Sequence, residues 1–446
     1  MKISKAAFLA AILIFAAEAA APASTARPAA PENFTAADRV LVIAPHPDDE
    51  TLGAGGAIQS ALASGAAVKV VYVTHGDHNE IASLFYLKKP LVRKADFIRS
   101  GKIRKKEALA ATAVLGLRPS DLVFLGYPDS GLQRIWRKHW GKSKPFRSFL
   151  TQISRVPYEE DFSYGKDYTA ENVVEDFRKI LSDFKPTKIF VTPPFDLNSD
   201  HQAAYLFLRL ALQDLRDSFP EPAVRMYLVH AEDWPRPKRL APDAALAPPA
   251  SLPGGEEAVW ERRPLAPAQT VLKADAISKY KSQMAYAKNF LLSFARSNEL
   301  FAKPPAENLT SAPPPPRTGR AEVEYGEEGG DLKITVRLQE PLDEVGTLNI
   351  DVFPYNAGVP FGEMPKYHIR FFGRKLFVSD SARRRKAEGV VYRLDGDRLT
   401  VILPGALLEE PEILFVSAET SKEELSLEIG SWKVLRRDGA RAPLLL

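Results

Sequence analysis

The chain has 446 residues, and its 60 Lys and Arg residues against 56 Asp and Glu residues give a formal net charge of +4. A charge this close to neutral argues against a nucleic-acid-binding protein that relies on a large basic surface. The sequence contains no cysteine, which excludes disulfides, iron–sulfur clusters, thiolate zinc sites and cysteine nucleophiles. Any metal ion must therefore be held by histidines and carboxylates.

Residues 1–23 are predicted to be a secretory signal peptide. Lys2 and Lys5 accompany an apolar stretch at residues 6–17, and small residues suited to cleavage follow it. This stretch is shorter than the roughly 18 apolar residues of a membrane-spanning helix, although an uncleaved membrane anchor is the alternative interpretation. Residues 24–37 are predicted to be a disordered leader. We therefore expect an exported bacterial protein, periplasmic or secreted, with no integral membrane span after cleavage.

Residues 38–302 alternate short apolar strands with helical segments. The strands are predicted at residues 39–44, 68–74, 122–126, 188–192 and 225–229. The helices between them are predicted at residues 50–65, 102–116, 172–184 and 200–215. The alternation predicts an α/β fold, with a Rossmann-like, mostly parallel sheet and helices on both of its faces. Residues 232–270 are predicted to form a long loop, and residues 274–301 one long helix.

The composition changes after this region. Residues 303–319 are rich in proline and are predicted to be a semi-rigid linker. Residues 320–446 contain short, often alternating apolar runs separated by turn signals, which predict an antiparallel β-sandwich. A carbohydrate-binding accessory role for this domain would rest on its architecture alone.

One group of residues has the composition of a catalytic metal site. His46, Asp48 and Asp49 directly follow the first strand, and His201 opens the helix after the fourth strand. In open α/β sheets, ligands bind beyond the carboxyl ends of the strands. Two histidines and one carboxylate form a common catalytic zinc set that leaves a position open for water, and a spare carboxylate could take a proton from that water. The alternative interpretation of residues 46–50 is a helix start favoured by acidic residues.

The segment VLVIAPHPDDETLGAGG, residues 40–56, resembles the signature of the PIG-L/LmbE family of metal-dependent N-acetylglucosamine deacetylases. The second family motif, His-Pro-Asp-His, is approximated by residues 198–201, Asn-Ser-Asp-His. Other positions that match the family pattern are Arg104, Glu107, Leu125 and Asp129. The resemblance covers about residues 38–301.

The resemblance implies roles for individual residues. His46, Asp49 and His201 would bind the metal ion, which would be Zn²⁺ or another divalent metal such as Fe²⁺ or Co²⁺. Asp48 would be the general base, and Asp200 would orient a neighbouring group of the site. Substrate hydroxyl groups would be held by Arg104 and Asp129.

Asn198 is a departure from the family pattern. The family has a histidine at this position, which stabilises the oxyanion or protonates the leaving amine. An asparagine can donate a hydrogen bond to an oxyanion, but it cannot deliver a proton. Protonation could then fall to Asp48 acting twice or to His230, which follows the fifth strand and for which a structural role is the alternative.

The resemblance thus implies an exported zinc-dependent deacetylase. It would hydrolyse the N-acetyl amide of an N-acetylglucosamine-type sugar or glycan and release acetate. One alternative is an amidase of the same fold that acts on a sugar conjugate. The other is a catalytically decayed glycan-binding protein, which Asn198 favours and the complete set of metal ligands opposes.

Three secondary features each leave two interpretations open. Residues 136–140, Trp-Arg-Lys-His-Trp, could form part of a substrate lid or pack an irregular loop. His75 and His78 follow the second strand and could bind a second metal ion or serve the structure. The basic stretch at residues 88–106 could be a solvated helix face and loop, or it could contact an acidic glycan or an anionic envelope surface.

Overall fold

The computed structural model describes residues 33–78, 93–249, 259–304, 309, 323–338, 346–383, 385–422, 425–428 and 432–437. The predicted signal peptide, the leader up to residue 32 and most of the predicted linker lie outside these residues. None of the helices in the described part of the chain combines the length and hydropathy that are needed to cross a bilayer.

The end of the predicted leader is part of the folded domain, so the prediction of disorder through residue 37 is wrong at this end. Phe34 is buried and packs against Phe190, with 6.2 Å between the ring centroids. The backbone N–H of Thr35 donates to Asp38 Oδ2 at 2.8 Å. Burial of an aromatic side chain and a closed turn together offset the entropy of ordering this segment.

The N-terminal domain is built on a seven-stranded sheet. Its strands are β1 (Arg39–Ala44), β2 (Ala67–Thr74), β3 (Leu122–Tyr127), β4 (Lys188–Val191), β5 (Ala223–Tyr227), β6 (Trp260–Pro264) and β7 (Asn298–Ala302). The strand order is β3-β2-β1-β4-β5-β7-β6. The first five strands are parallel, and β6 and β7 are antiparallel additions at one edge.

In the part of the domain that the structure describes, seven helices accompany this sheet. They are α1 (Asp49–Ala63), α2 (Lys94–Val114), α3 (Leu132–Lys138), α4 (Ala170–Phe184), α5 (Ser199–Asp214), α6 (Pro267–Ser278) and α7 (Lys281–Leu292), with a short 3₁₀ turn at Pro119–Asp121. Alternate residues of β1 point to two separate cores: Val40 and Val42 face α1 and α2, whereas Leu41 and Ile43 face α4 and α5. Both faces are therefore covered by helices, which confirms the predicted α/β architecture.

The predicted long helix at residues 274–301 is wrong in its extent. The chain forms α6 and α7, which are separated at Lys279 and Tyr280, and then the strand β7. Strand β7 pairs with β6, which lies inside the predicted loop at residues 232–270. All five residues of β7 are buried, including Asn298 and Glu299, and a short segment that is buried on every side has no periodicity that separates a strand from a helix.

The C-terminal domain is an antiparallel β-sandwich, as predicted. Its elements are β8 (Val323–Glu328), β9 (Asp331–Arg337), β10 (Thr347–Tyr355), a 3₁₀ turn at Phe361–Glu363, β11 (Tyr367–Phe372), β12 (Lys375–Asp380), β13 (Arg385–Lys386), β14 (Val391–Asp395), β15 (Arg398–Leu403), α8 (Gly405–Leu408), β16 (Ile413–Lys422), β17 (Leu425–Glu428) and β18 (Lys433–Arg436). One sheet has the order β13-β12-β11-β10-β16-β17 with β18 beside β16, and the other has the order β14-β15-β9-β8.

The two domains share a hydrophobic core. Leu348, Ile350 and Val352 of β10 face the second sheet of the sandwich, whereas Phe353 points to the opposite side. There it packs near Trp136 of α3, with 6.2 Å between the ring centroids. Trp136 is fully buried and Trp140 nearly so, so both rings belong to the domain interface and the lid interpretation of residues 136–140 is wrong.

Helix α1 packs closely on the sheet because Gly53 lacks a side chain. A Cβ atom at this position would lie 2.0 Å from Tyr227 Cδ2, and the Tyr227 hydroxyl donates to the Ile43 carbonyl at 2.8 Å. We expect Gly53→Ala to lower the free energy of unfolding by about 1–3 kcal/mol, since overpacking forces buried groups apart. Chemical denaturation measures this loss. Gly55→Ala in the same helix is the matched control, because a Cβ atom there would lie 3.4 Å from Lys273 Cγ, an ordinary van der Waals contact.

Candidate active site

The candidate site lies where the strand order of the parallel sheet reverses. From β1 the chain proceeds outward through β2 and β3, and it then returns to place β4 on the other side of β1. The loops that leave the carboxyl ends of β1 and β4 therefore diverge and leave a crevice between them, which is the usual position of a ligand in such sheets. The first of these loops carries His46, and the second leads to His201.

His46, Asp49 and His201 come together in this crevice. His46 Nδ1 lies 3.1 Å from His201 Nε2, and Asp49 Oδ2 lies 3.3 Å from the first nitrogen and 3.1 Å from the second. All three residues are buried. Ligand atoms 2.0–2.1 Å from a tetrahedral zinc ion lie about 3.3 Å apart, so the three side chains fit a divalent cation.

The electrostatics of the crevice also suit a cation. Burial disfavours a charged imidazole, but the carboxylates of Asp196 and Asp49 outweigh it and raise the pKa of His201 to about 9. The same concentration of negative charge that attracts a proton to this ring would attract a metal ion, and a metal ligand must give up its proton.

A strained turn sets the position of Asp48. This residue precedes α1 with φ 125° and ψ −30°, a region that residues other than glycine rarely adopt and that is often found at functional sites. The turn is closed by Asp49 Oδ2, which accepts the backbone N–H of His46 at 2.8 Å. Asp49 therefore both faces the two imidazoles and holds the loop that presents one of them.

Arg104 of α2 supports the same turn from inside the protein. Its guanidinium donates to the carbonyl oxygens of Pro47 at 2.7 Å and Gly76 at 3.0 Å, and Nη2 lies 3.3 Å from Asp48 Oδ2. Burial is the largest influence on the Asp48 carboxyl and raises its pKa, while Arg104 opposes this shift. Arg104 is almost fully buried, so the structure gives it a part in positioning Asp48, and its direct contact with a sugar stays a prediction.

Two further carboxylates face the outer nitrogen of His46. Asp129 Oδ1 lies 3.2 Å and Asp200 Oδ2 3.4 Å from His46 Nε2. The backbone N–H groups of Ser130 and Leu132 donate to the Asp200 carboxylate, so Asp200 also ties the loop after β3 to the start of α5. Carboxylates in this position commonly orient a metal-binding imidazole.

Asp196 was not identified by sequence reasoning. It is fully buried in the loop after β4, with Oδ2 3.2 Å from His201 Nδ1 and Oδ1 3.2 Å from His230 Nδ1. The backbone N–H groups of Val229 and His230 donate to the same carboxylate, and the two histidines lower its pKa well below the usual range despite its burial. A carboxylate five residues before His201 on the same sheet edge was the signal that could have revealed it.

We expect Asp196→Asn to weaken metal binding or activity about 10- to 100-fold, the usual effect of changing a residue that orients a metal-binding histidine. Competition against a chelating dye measures the metal affinity. Asp214→Asn, at the other end of α5, is a control that should leave the affinity unchanged. An unaltered affinity and activity in Asp196→Asn would contradict a role for Asp196 in orienting His201.

Asn198 and His230 both contact Asp196 Oδ1, which lies 2.8 Å from the Asn198 backbone nitrogen and 3.2 Å from His230 Nδ1. Asn198 is the N-cap of α5, and its Oδ1 accepts the backbone N–H of Asp200 at 2.9 Å. Its side-chain NH₂ group is the donor that it could offer to an oxyanion. The His230 ring packs edge-on against His201, with 4.7 Å between the centroids, and stacks at 6.1 Å on Phe290.

His75 is held by hydrogen bonds and ring stacking in the protein interior. Its Nε2 lies 2.6 Å from Asp161 Oδ2, its Nδ1 lies 3.1 Å from the Gly101 carbonyl oxygen, and its ring stacks on Tyr158 at 3.9 Å. Both ring nitrogens are thus engaged in the protein interior. In the described residues, neither His75 nor His78 belongs to a group with metal-ligand spacing, and the contacts of His75 fit the structural interpretation.

The basic stretch at residues 88–106 is described only from residue 93 onward. Residues 94–106 belong to α2, where Lys94, Lys102 and Lys106 lie on its exposed or half-buried side and Arg104 turns inward. The part that the structure describes is therefore a helix with a solvated basic face.

The doubly wound fold and its histidine–carboxylate crevice define the class of α/β proteins with a candidate metal site beyond the carboxyl ends of the strands. A family model described as PIG-L, GlcNAc-PI de-N-acetylase, matches residues 41–212. Over these residues the α/β domain of this chain is similar to the PIG-L family.

Proteins of known name share part of this domain. A 1D-myo-inositol 2-acetamido-2-deoxy-alpha-D-glucopyranoside deacetylase 1 from Saccharopolyspora erythraea is 36% identical over 176 residues, which cover 38% of this chain and 50% of the relative. A deacetylase of the same name from Nakamurella multipartita is 31% identical over 149 residues, covering 28% of this chain and 49% of the relative. The chain spans about half the length of these curated relatives.

Among solved structures, N,N'-diacetylchitobiose deacetylase from Pyrococcus horikoshii is similar over 59% of this chain and 83% of its own, with 19% sequence identity and a TM-score of 0.36.

Proposed function

We propose that this chain is an exported, zinc-dependent deacetylase that hydrolyses the N-acetyl amide of an N-acetylglucosamine-type sugar or glycan and releases acetate. The observation that carries the proposal is the convergence of His46, Asp49 and His201, with Asp48 held beside them. The names of the relatives support the substrate class, since both act on a 2-acetamido-2-deoxy-glucopyranoside.

His46, Asp49 and His201 would hold the metal ion through two imidazole nitrogens and one carboxylate oxygen. When bound, a divalent cation would polarise the amide carbonyl and make water more acidic. Three protein ligands leave room for substrate and water, as is usual in catalytic sites. Fe²⁺ or Co²⁺ would suit the same nitrogen and oxygen ligands.

Asp48 would act as the general base. Its carboxylate would take a proton from water as the water oxygen attacks the amide carbon, and Arg104 would hold Asp48 in the reactive position. The Asn198 NH₂ group would donate a hydrogen bond to the oxygen that gains negative charge. When the carbon–nitrogen bond breaks, the amine takes up a proton and acetate leaves.

The source of that proton differs from the family pattern because residue 198 is an asparagine. Asp48 could return the proton that it took from water, which requires no further residue. His230 is the other candidate, and its contacts with Asp196 and Phe290 equally suit a structural role.

Acetate release with and without a chelator tests the proposal. We expect the purified protein to release acetate and free amine from N-acetylglucosamine oligosaccharides, to lose this activity in a chelator, and to regain it with Zn²⁺, Fe²⁺ or Co²⁺. Acetate is measured by a coupled enzymatic assay, and the amine by fluorescamine. Cell fractionation tests the export.

The other outcomes distinguish the alternatives. Release of an acyl group other than acetate from a sugar conjugate would indicate the amidase. Tight glycan binding without hydrolysis under any metal condition would indicate a decayed, glycan-binding protein, which is the reading favoured by Asn198. Acetate release that persists after the chelator has removed all of the metal would overturn the metal-dependent mechanism.

A further inference from the structure

We infer that the C-terminal β-sandwich positions residues of the active site, because it fixes helix α3 and thereby the loop that carries Asp129. This inference rests on the proposed deacetylase function. It gives the β-sandwich a positioning role and does not require it to bind carbohydrate.

The inner end of α3 touches the site directly. Asp129, three residues before the helix, lies 3.2 Å from His46 Nε2. The next residues are held by Asp200, whose carboxylate accepts the backbone N–H groups of Ser130 and Leu132. Any movement of α3 along or across its axis would therefore move Asp129 relative to His46 and strain the contacts of Asp200.

The outer end of α3 is held by the β-sandwich. The fully buried ring of Trp136 packs against Phe415 at 5.1 Å and Phe361 at 5.6 Å between centroids. Burial of so large an aromatic side chain against the rings of the sandwich strengthens the attachment. The helix is thus anchored to the second domain by its largest side chain.

Arg137 gives this attachment a defined orientation. Its Nη1 and Nη2 donate to the two carboxylate oxygens of Glu419 at 2.7 and 3.0 Å, and its Nε lies 2.9 Å from Asp351 Oδ2. A two-point contact between a guanidinium and a carboxylate specifies an angle as well as a distance. Asp351 is held in turn by His368 at 2.7 Å, so both acids are part of the sandwich framework.

A second contact reaches the loop after β4. The backbone N–H of Trp432 donates to the Pro194 carbonyl oxygen at 3.2 Å, two residues before Asp196. The sandwich therefore supports both loops whose carboxylates face the metal-binding imidazoles.

Helix α3 needs this support because it has only seven residues. Helices of this length are not stable on their own, and their position depends on tertiary packing. Asp200 holds one end of α3 and the sandwich holds the other, so loosening the outer end should loosen the inner end.

A matched pair of variants tests the inference. Arg137→Ala removes the ion pairs of α3, whereas Arg216→Ala removes another ion pair between the domains, to Glu412, beyond the far end of α5. The first readout is hydrogen–deuterium exchange at the amides of Ser130 and Leu132, which does not depend on activity. The second is kcat and KM for acetate release, with Tm as a measure of overall stability.

We expect Arg137→Ala to increase exchange at these two amides and to lower kcat about tenfold, within the range for residues coupled to a distant site. Arg216→Ala should lower Tm to a similar degree and leave both readouts unchanged. If Arg137→Ala does not fold, Glu419→Gln removes the charge of one partner more gently and should give the same pattern with a smaller effect.

The inference is overturned if exchange at Ser130 and Leu132 stays unchanged in a folded Arg137 or Glu419 variant, or if Arg216→Ala changes exchange and kcat equally. A different result would be increased exchange in the Arg137 variant together with no acetate release by the wild type. It would refute the proposed function and would still support the positioning of the Asp129 loop by the sandwich.

Discussion

Asp48→Asn is expected to lower the rate of acetate release about 10²- to 10⁴-fold, the usual contribution of a general base, while the protein keeps its metal ion. The metal should remain because Asp48 is not one of the three residues whose ligand atoms lie 3.1–3.3 Å apart. The fold should remain because asparagine tolerates positive φ better than most residues, and residue 48 has φ 125°.

Single-turnover kinetics and metal analysis of the same preparation measure both parts of this result. Asp121→Asn is a matched control, because Asp121 lies at the amino end of β3, away from the carboxyl ends that carry the site, and pairs with Arg118. This variant should leave the rate unchanged. Loss of the metal from Asp48→Asn would contradict the assigned role, and so would a rate close to that of the wild type.

His201→Ala is expected to abolish both metal binding and activity. His201 supplies one of the three ligand atoms, so its removal should weaken metal binding more than the roughly 100-fold upper limit that is typical of residues behind the ligands. A ligand that binds only the folded state stabilises it by about 2.7 kcal/mol at 100 times its Kd. Zn²⁺ should therefore raise the Tm of the wild type but not that of His201→Ala.

Thermal unfolding with and without Zn²⁺ measures this difference and does not require an active enzyme. His139→Gln is the control, since His139 contacts the Lys144 carbonyl oxygen away from the crevice; its Tm should respond to Zn²⁺ as the wild type does. An equal response in His201→Ala would show that the metal ion binds elsewhere.

The sequence carried enough information to predict the fold class and the place of the site. Short apolar strands that alternate with helices are a local signal, and they require a parallel sheet covered on both faces. In such a sheet, residues that directly follow two strands meet at one edge. His46 and His201 are 155 positions apart, yet their positions after β1 and β4 predicted that they would lie together.

Several features were set by packing between distant segments. The contacts of Arg104 with the Pro47 and Gly76 carbonyl oxygens were not predicted, and its predicted contact with the substrate stays a prediction. For Trp136 and Trp140, the sequence left a substrate lid and the packing of a loop as equal alternatives, because an aromatic pair in an irregular segment has no periodicity that indicates its partner. Their partners, such as Phe361 and Phe415, lie more than 200 residues later in the chain.

The sequence alone determined that this chain contains a doubly wound α/β domain followed by a β-sandwich, and it identified the histidines and carboxylates at the ends of β1 and β4. Only the tertiary structure decided that Asp196 joins His201 to His230, that Arg104 supports Asp48 from within, and that the sandwich holds the helix behind Asp129. The physical reason is that strand and helix patterns arise from neighbours along the chain, whereas a buried ion pair or aromatic contact depends on which distant surfaces meet when the chain folds.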